Sequence, residues 1–258
     1  MYGHSRFLTH RRTTRITYTT LRRHFSYDVD VATDRPVFQS KSEYAYDVVK
    51  RRILSEEIAP GGVVSQERIA GEIGMSTTPV REALKRLATE GLVTLGSYRD
   101  ARVTELSASE ARSLYEVRQS LDPLAARLAA ERRRPGDVAA IDQALEHLNP
   151  LTGKADWEGL IAHREFHRAV YRGAHNQPLF DVLEGLWDKA DRYRQVGLRA
   201  HPRTGKEIAR VQYEHEALAD ALRCGDAAAA ETMMLQHISN SLGRRAIDEL
   251  ADQDVAGS

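Results

Sequence analysis

The sequence predicts a mostly α-helical protein in two parts: a small head of three helices closed by a β-hairpin, then an all-α bundle of six or seven helices. Three observations carry this prediction. Apolar residues recur at three- and four-residue spacing through almost every segment from 42 to 249. Ser, Thr, Gly and Pro punctuate those segments at capping positions. Only two adjoining runs, "LVTL" and "ARVTE", are β-rich.

Residues 1–40 stand apart. Arg6, Arg11, Arg12, Arg15, Arg22 and Arg23 sit among Thr, His and Tyr with few aliphatic residues to bury, so a disordered arm is expected. The segment lacks the apolar core of about 7 residues that a signal peptide needs. Its Arg/Thr-rich, acid-poor composition resembles an organelle transit peptide, but a loosely attached arm or an upstream start codon is the plainer reading.

The head is expected over 41–106. "SEYAYDVVKRRILSEEI" spaces Ala45, Val48, Val49, Ile53 and Leu54 at helical intervals behind Ser42 as N-cap, and "APGG" ends it. In "SQERIAGEIGM", Ser65 caps a two-turn helix built on Ile69, Ala70 and Ile73, which Gly74 closes in the left-handed conformation. "STTPVREALKRLATEG" follows, with Thr78 as cap, Pro79 at the first helical position, Val80, Ala83, Leu84 and Leu87 on one face, and Gly91 as stop. A short helix, a tight turn and a longer helix form the layout of a helix-turn-helix. The hairpin "LVTL"–"GSYRD"–"ARVTE" reads as its wing, although spacing alone also fits a generic three-helix domain with a hairpin.

The bundle is expected over 107–250, before a flexible tail at 251–258. Ser107 or Ser109 caps its first helix and Pro135–Gly136 ends it. Further helices are expected near 137–148, 155–173, 177–199, 204–223 and 226–249, divided by "AHNQP", "AHPRTG" and "CGD". Six helices result.

The 258 residues, 41% hydrophobic, suffice for two modest cores. The 37 basic and 37 acidic side chains cancel, so any nucleic-acid binding must come from a local arrangement. Cys224 is the only cysteine, which excludes an internal disulfide and suits a reducing cytoplasm. No run approaches the roughly 18 apolar residues of a membrane span.

Four histidines fall into one pattern. His163 and His167 in "IAHREFHRAV" share a helix face. His215 lies on the stripe of Val211, Leu218 and Leu222, and His237 beside Met233 and Met234. His215 is nine residues before Cys224 and His237 eleven after Asp226, so in an antiparallel pair the mismatch is about 3 Å of rise. Singly, each histidine is an ordinary core or surface residue. Four converging imidazoles suit a divalent transition metal, and His4, His10, His24, His147, His175 and His201 show no such convergence.

The stretch "LSEEIAPGGVVSQERIAGEIGMSTTPVREALKRLATEGLV" resembles the winged helix-turn-helix head of the GntR family of bacterial transcription regulators. The resemblance implies that Arg81 reads a base edge, that Ser76, Thr77 and Thr78 meet phosphates and the first bases, and that Arg68 clamps the backbone. Lys85 on the same helix, and Ser97 at the wing tip beside Gly96, complete the DNA-facing set. An arginine in the first turn of a groove-inserted helix can donate bidentately to guanine. Hydroxyl residues at a helix N-terminus suit phosphate. Glu82 reads as a partner for Arg86, four residues on. Some relatives carry a second arginine where this chain has Thr77, so their operator sequence does not transfer.

"YEVRQSLDPLAARLAA", "FHRAVYRGAHNQPL" and "EHEALADALRCGDAAAAETMMLQHI" resemble the FCD effector domain of FadR-type GntR regulators. There an aspartate, a histidine four residues later and two further histidines hold a metal. His167, His215 and His237 fall on the histidine positions, and His163 stands at the aspartate position. Loss of that anionic ligand moves preference from Mn-like ions toward Zn, Ni or Cu. Six body helices would place the chain nearer the VanR-like branch. Arg118 is similar to the family arginine that faces the effector cavity, where its fork suits a carboxylate. By spacing alone, a surface pair with Glu116 or Asp122 fits equally.

The expected protein is a cytoplasmic, homodimeric regulator binding a palindromic operator in double-stranded DNA, with repression relieved when a small carboxylate effector binds at the metal. Two alternatives remain at this point. A metal-dependent hydrolase or oxygenase fused to the head lacks support in "HREFH", where Glu165 sits one place beyond the base position of a zinc protease. A direct metal sensor would take the ion itself as signal.

Overall fold

The computed structural model describes residues 40–96, 100–148, 157–200 and 204–256. In the head, α1 spans Lys41–Leu54, β1 Val63–Val64, α2 Gln66–Ile73, α3 Thr77–Thr89, β2 Val93–Leu95 and β3 Ala101–Val103. Ser40, not Ser42, caps α1: its side chain accepts from the Glu43 N–H while the Glu43 carboxylate takes the Ser40 N–H. Ser40 is therefore part of the head, and residues 1–39 lie outside the described ones. Gly74 closes α2 at φ 68°. α3 starts two residues earlier than expected, with Ser76 rather than Thr78 as N-cap. Pro79 becomes its third residue, where the absent N–H still leaves no bond unmade.

The wing pairs β2 with β3 in antiparallel register, Val93 opposite Val103 and Leu95 opposite Ala101. β1 adds a third strand, Val64 opposite Ala101, giving the order β1-β3-β2. Two residues are too few for periodicity to reveal, so pairing alone makes this strand. Val49, Ile53, Ile69, Leu84, Leu87, Val93 and Val103 form the head's buried cluster.

In the body, α4 spans Ala108–Arg132, α5 Pro135–Glu146, α6 Trp157–Gly173, α7 Gln177–Ala200, α8 Gly205–Cys224, α9 Ala227–Ser239 and α10 Leu242–Ala256. Seven helices are thus present among the described residues. The single helix expected over 226–249 breaks at Asn240, whose N–H still reaches Gln236, and restarts behind Ser241, whose hydroxyl accepts from the Arg244 N–H at 3.3 Å. The six-helix count falls, and with it the ground for the VanR-like placement. The tail expected to be flexible from 251 is helical to Ala256.

α10 continues because Ala246, Ile247 and Leu250 are buried with the core residues Phe166, Leu183, Trp187, Leu218 and Met234. It packs so closely on α7 that a Cβ on Gly197 would run into the Leu242 carbonyl, and so closely on α4 that one on Gly243 would run into the Tyr115 hydroxyl. Among the described residues no helix is long and apolar enough to cross a membrane.

Candidate metal centre

The apolar stripe of α6 is Leu160, Phe166, Val170 and Tyr171, and His163 and His167 lie on the same face, 6% and 0% exposed. On α8, His215 is buried beside Leu218 and Leu222; on α9, His237 is buried beside Met234 and Ile238. Gly225, at φ 77°, turns α8 back, and Asp226 caps α9. That tight reversal brings His215 and His237 level, with ring centroids 4.5 Å apart. The α6 pair is 4.6 Å apart, and His167 stands 5.1 Å from His237.

One nitrogen from each ring lies within 4.8 Å of the others. In a tetrahedral site with bonds of about 2.1 Å the nitrogens lie about 3.4 Å apart, so the widest pair must close by up to about 1.4 Å, a side-chain adjustment, to share one ion. Nδ1 of His163, both ring nitrogens of His167 and Nε2 of His237 are buried without a hydrogen-bond partner. Such orphaned polar atoms are costly in an apolar core unless something binds them. Burial first, then the Arg194 charge, holds the His163 pKa well below its ordinary value. Burial and the neighbouring His237 do the same for His167. Neutral imidazole is the form a metal takes. The residues present fit a transition-metal ion.

Glu214 had no signal in the sequence beyond adjoining His215. Its carboxylate lies 3.0 Å from Nδ1 of His237. Burial opposes its charge, but the His237 bond and the Arg210 guanidinium outweigh burial and hold its pKa below the usual carboxylate value. His147 and His175 stay away from the cluster, bonded to the Gln143 carbonyl and to Asp137. His4, His10, His24 and His201 lie outside the described residues.

Arg118 makes no surface pair. It is 1% exposed and grips Asp122 with Nε at 3.3 Å and Nη2 at 3.0 Å, while the Tyr171 hydroxyl donates to the same carboxylate. Burial works against its charge, and Asp122 more than offsets it. Its Nη1 is buried without a partner. The guanidinium lies 4.8 Å over the Trp187 ring, itself 5.2 Å from His167. Arg118 therefore borders the cluster across Trp187, another residue that spacing left unassigned.

On the head, Arg68, Ser76, Thr77, Thr78, Arg81 and Lys85 are all exposed, and Val80, Ala83, Leu84 and Leu87 bury the opposite face of α3. No side chain caps α3, so its first-turn N–H groups face outward. Glu82 pairs with Lys85 at 3.1 Å rather than with Arg86, which pairs with Glu90 and stacks 3.8 Å over the Tyr46 ring. Ser97 lies outside the described residues.

Residues 41–103 match the family model described as bacterial regulatory proteins, gntR family, and residues 113–240 match the FCD domain. The chain is similar to the HTH-type transcriptional regulator McbR of Escherichia coli, 30% identical over 140 residues, which is 54% of this chain and 63% of that protein. The solved structure of E. coli McbR/YncC superposes with a TM-score of 0.66 at 24% identity, covering 84% of this chain and 99% of that one. An HTH-type regulator in an unstable DNA locus of Streptomyces ambofaciens is 30% identical over 75% of this chain and 80% of that protein. The HTH-type transcriptional repressor GlaR of E. coli is 26% identical over 75% and 90%.

Proposed function

The chain belongs to the gntR family of bacterial regulatory proteins, with an FCD domain behind its head, and from that premise we propose that it represses transcription until an organic acid binds beside a metal in its body. It is a transcription regulator and not an enzyme, as its domains and relatives are. The observation that carries the effector reading is the set of four buried imidazoles with ligand atoms within 4.8 Å of one another.

His163, His167, His215 and His237 hold the ion. Four uncharged nitrogen donors favour Zn or Ni over Mn-like ions. When bound, the ion supplies a Lewis-acid anchor for a carboxylate. The unpartnered Nη1 of Arg118 orients the same group from the Trp187 side. Two copies of the chain pair so that each head takes half of a palindromic operator. On α3, Arg81 reads a base, Lys85 and Arg68 meet phosphates, and Ser76, Thr77 and Thr78 offer hydroxyls and free N–H groups at the helix start. Ser97 completes the contact from the wing. A coupling of about 1–3 kcal/mol between effector and DNA releases the operator roughly 5- to 150-fold.

Elemental analysis of the full chain, stripped with chelator and reloaded with zinc, tests the site. One ion per chain is expected, and loss of that ion in the double variant His167→Ala with His237→Ala. Retention of a full equivalent by that variant overturns the reading. Titrating duplex DNA against the loaded and stripped protein, with and without small organic acids, separates an effector-driven response from one in which the metal itself is the signal.

A further inference from the structure

Asp188 sits on α7 where the body meets the head, 8% exposed, and each of its oxygens holds a different cation. Oδ1 accepts from Nη1 of Arg164 at 2.7 Å. Oδ2 pairs with Nζ of Lys50, on α1 of the head, at 2.6 Å. Arg164 directly follows His163 on α6, and Trp187, directly before Asp188, lies 5.8 Å from the His163 ring. A shift of α6 that accompanies filling of the histidine cluster therefore moves one of the two cations on Asp188.

From Lys50 the polar contacts continue to the DNA-facing helix. Its Nζ donates to the Tyr46 hydroxyl at 3.1 Å, and that hydroxyl donates to Glu90 at 2.8 Å. Glu90 is the C-cap of α3 and accepts from Nε of Arg86 at 3.1 Å, with Arg86 stacked on the Tyr46 ring. α3 is a rod of 13 residues, so a change at Glu90 and Arg86 re-aims Lys85 beside them and Arg81 toward its other end.

Arg164 also has a second place to go. Its Nη2 lies 3.4 Å from Oε2 of Glu184, one turn before Asp188, and Oε1 of Glu184 is buried without a partner. Arg164 thus touches both carboxylates at once, with Arg168 also on Oε2 of Glu184. A coupling route requires an element with two arrangements, and a guanidinium shared by two carboxylates supplies one by moving from the first to the second. Two cations sharing one carboxylate each hold it less tightly than either alone, so moving Arg164 onto Glu184 tightens Asp188 on Lys50. The head has other attachments that do not involve Asp188: Arg199 to Glu56 and Arg192 to the Thr104 carbonyl.

We propose that Asp188 is the positioning residue through which the histidine cluster sets the aim of α3, with Arg164 switching between Asp188 and Glu184 and Lys50 carrying the change into the head. The proposal rests on the reading that the cluster holds metal and the head holds DNA.

The test uses the full chain, zinc as probe, and a duplex selected from a random-sequence pool by the wild-type protein. DNA affinity is compared between zinc-loaded and chelator-stripped protein. Wild type is expected to differ between the two states within the 5- to 150-fold span of ordinary allosteric coupling, roughly, and Lys50→Met to bring that ratio to about one, still binding one zinc and still binding DNA. Lys50→Arg, which keeps the charge, restores the ratio, and Asp188→Asn abolishes it as Lys50→Met does. Hydrogen exchange gives a second readout: zinc alters amide protection in α1 and α3 of wild type and leaves it unaltered in Lys50→Met. A Lys50→Met protein with the wild-type ratio overturns the proposal, as does a wild type that binds both zinc and DNA with a ratio of one. Failure to bind zinc or DNA at all overturns the underlying functional reading instead.

Discussion

Glu214 and His237 are joined at 3.0 Å between a carboxylate oxygen and Nδ1, which leaves Nε2 of the imidazole turned toward the other three histidines. A carboxylate behind a histidine ligand fixes ring orientation and raises basicity. Glu214→Gln is therefore expected to weaken zinc binding by roughly 10- to 100-fold. Competition against a chromophoric chelator measures this, and an unchanged affinity would remove Glu214 from the site.

His163 occupies the position at which the resemblance implies an aspartate. His163→Asp returns an anionic oxygen donor, and the ratio of Mn to Zn affinity is expected to rise. Isothermal titration with both ions decides it; a ratio that stays constant means His163 does not reach the ion.

Arg81 and Lys85 share the exposed face of α3 but have different roles in the proposed interface. Arg81→Ala is expected to cost about 1–3 kcal/mol against the preferred duplex and to relax preference at one base position. Lys85→Ala weakens all sequences alike and reduces the salt slope by about 1. Anisotropy titrations at several salt concentrations distinguish the two.

Glu207 ties the start of α8 to α10 through Arg245 and the Thr204 N–H, in that order of effect, and these hold its pKa at about 2. Because this value lies below that of the unfolded carboxyl, its contribution is complete above about pH 4.5 and is lost as pH falls toward 2. The group is largely solvated, so the contribution at neutral pH stays below about 1 kcal/mol. Glu207→Gln is expected to flatten the acid limb of a melting-temperature profile. An acid limb identical to wild type contradicts the assignment.

Gly197 faces the Leu242 carbonyl where α7 and α10 cross. Gly197→Ala forces the two helices apart, at a cost typical of overpacking, about 1–3 kcal/mol. Urea denaturation reads the loss; equal midpoints would mean that the helices separate freely.

Helix identity was legible wherever a cap met an apolar stripe. Gly74 and Gly225 end their helices in the left-handed conformation, and Ser65 and Ser107 begin theirs. Boundaries moved where several capping residues compete: Ser40 over Ser42, and Ser76 over Thr78. The inward direction of His163, His167, His215 and His237 was also legible, because each shares a helical face with apolar residues that must be buried.

The sequence by itself determined the two-part, mostly helical architecture and the four imidazoles, since both follow from spacing along single helices. Only tertiary packing decided that β1 exists, that Arg118 and Asp122 form a core pair, and that Asp188 stands between Arg164 and Lys50. α7 buries Asp188, Asp191, Arg192 and Arg194 together with Trp187, so neighbours surround it on more sides than an amphipathic pattern anticipates. A charge on one helix reveals its partner only when chains distant in sequence meet, and periodicity along one element carries no record of that meeting.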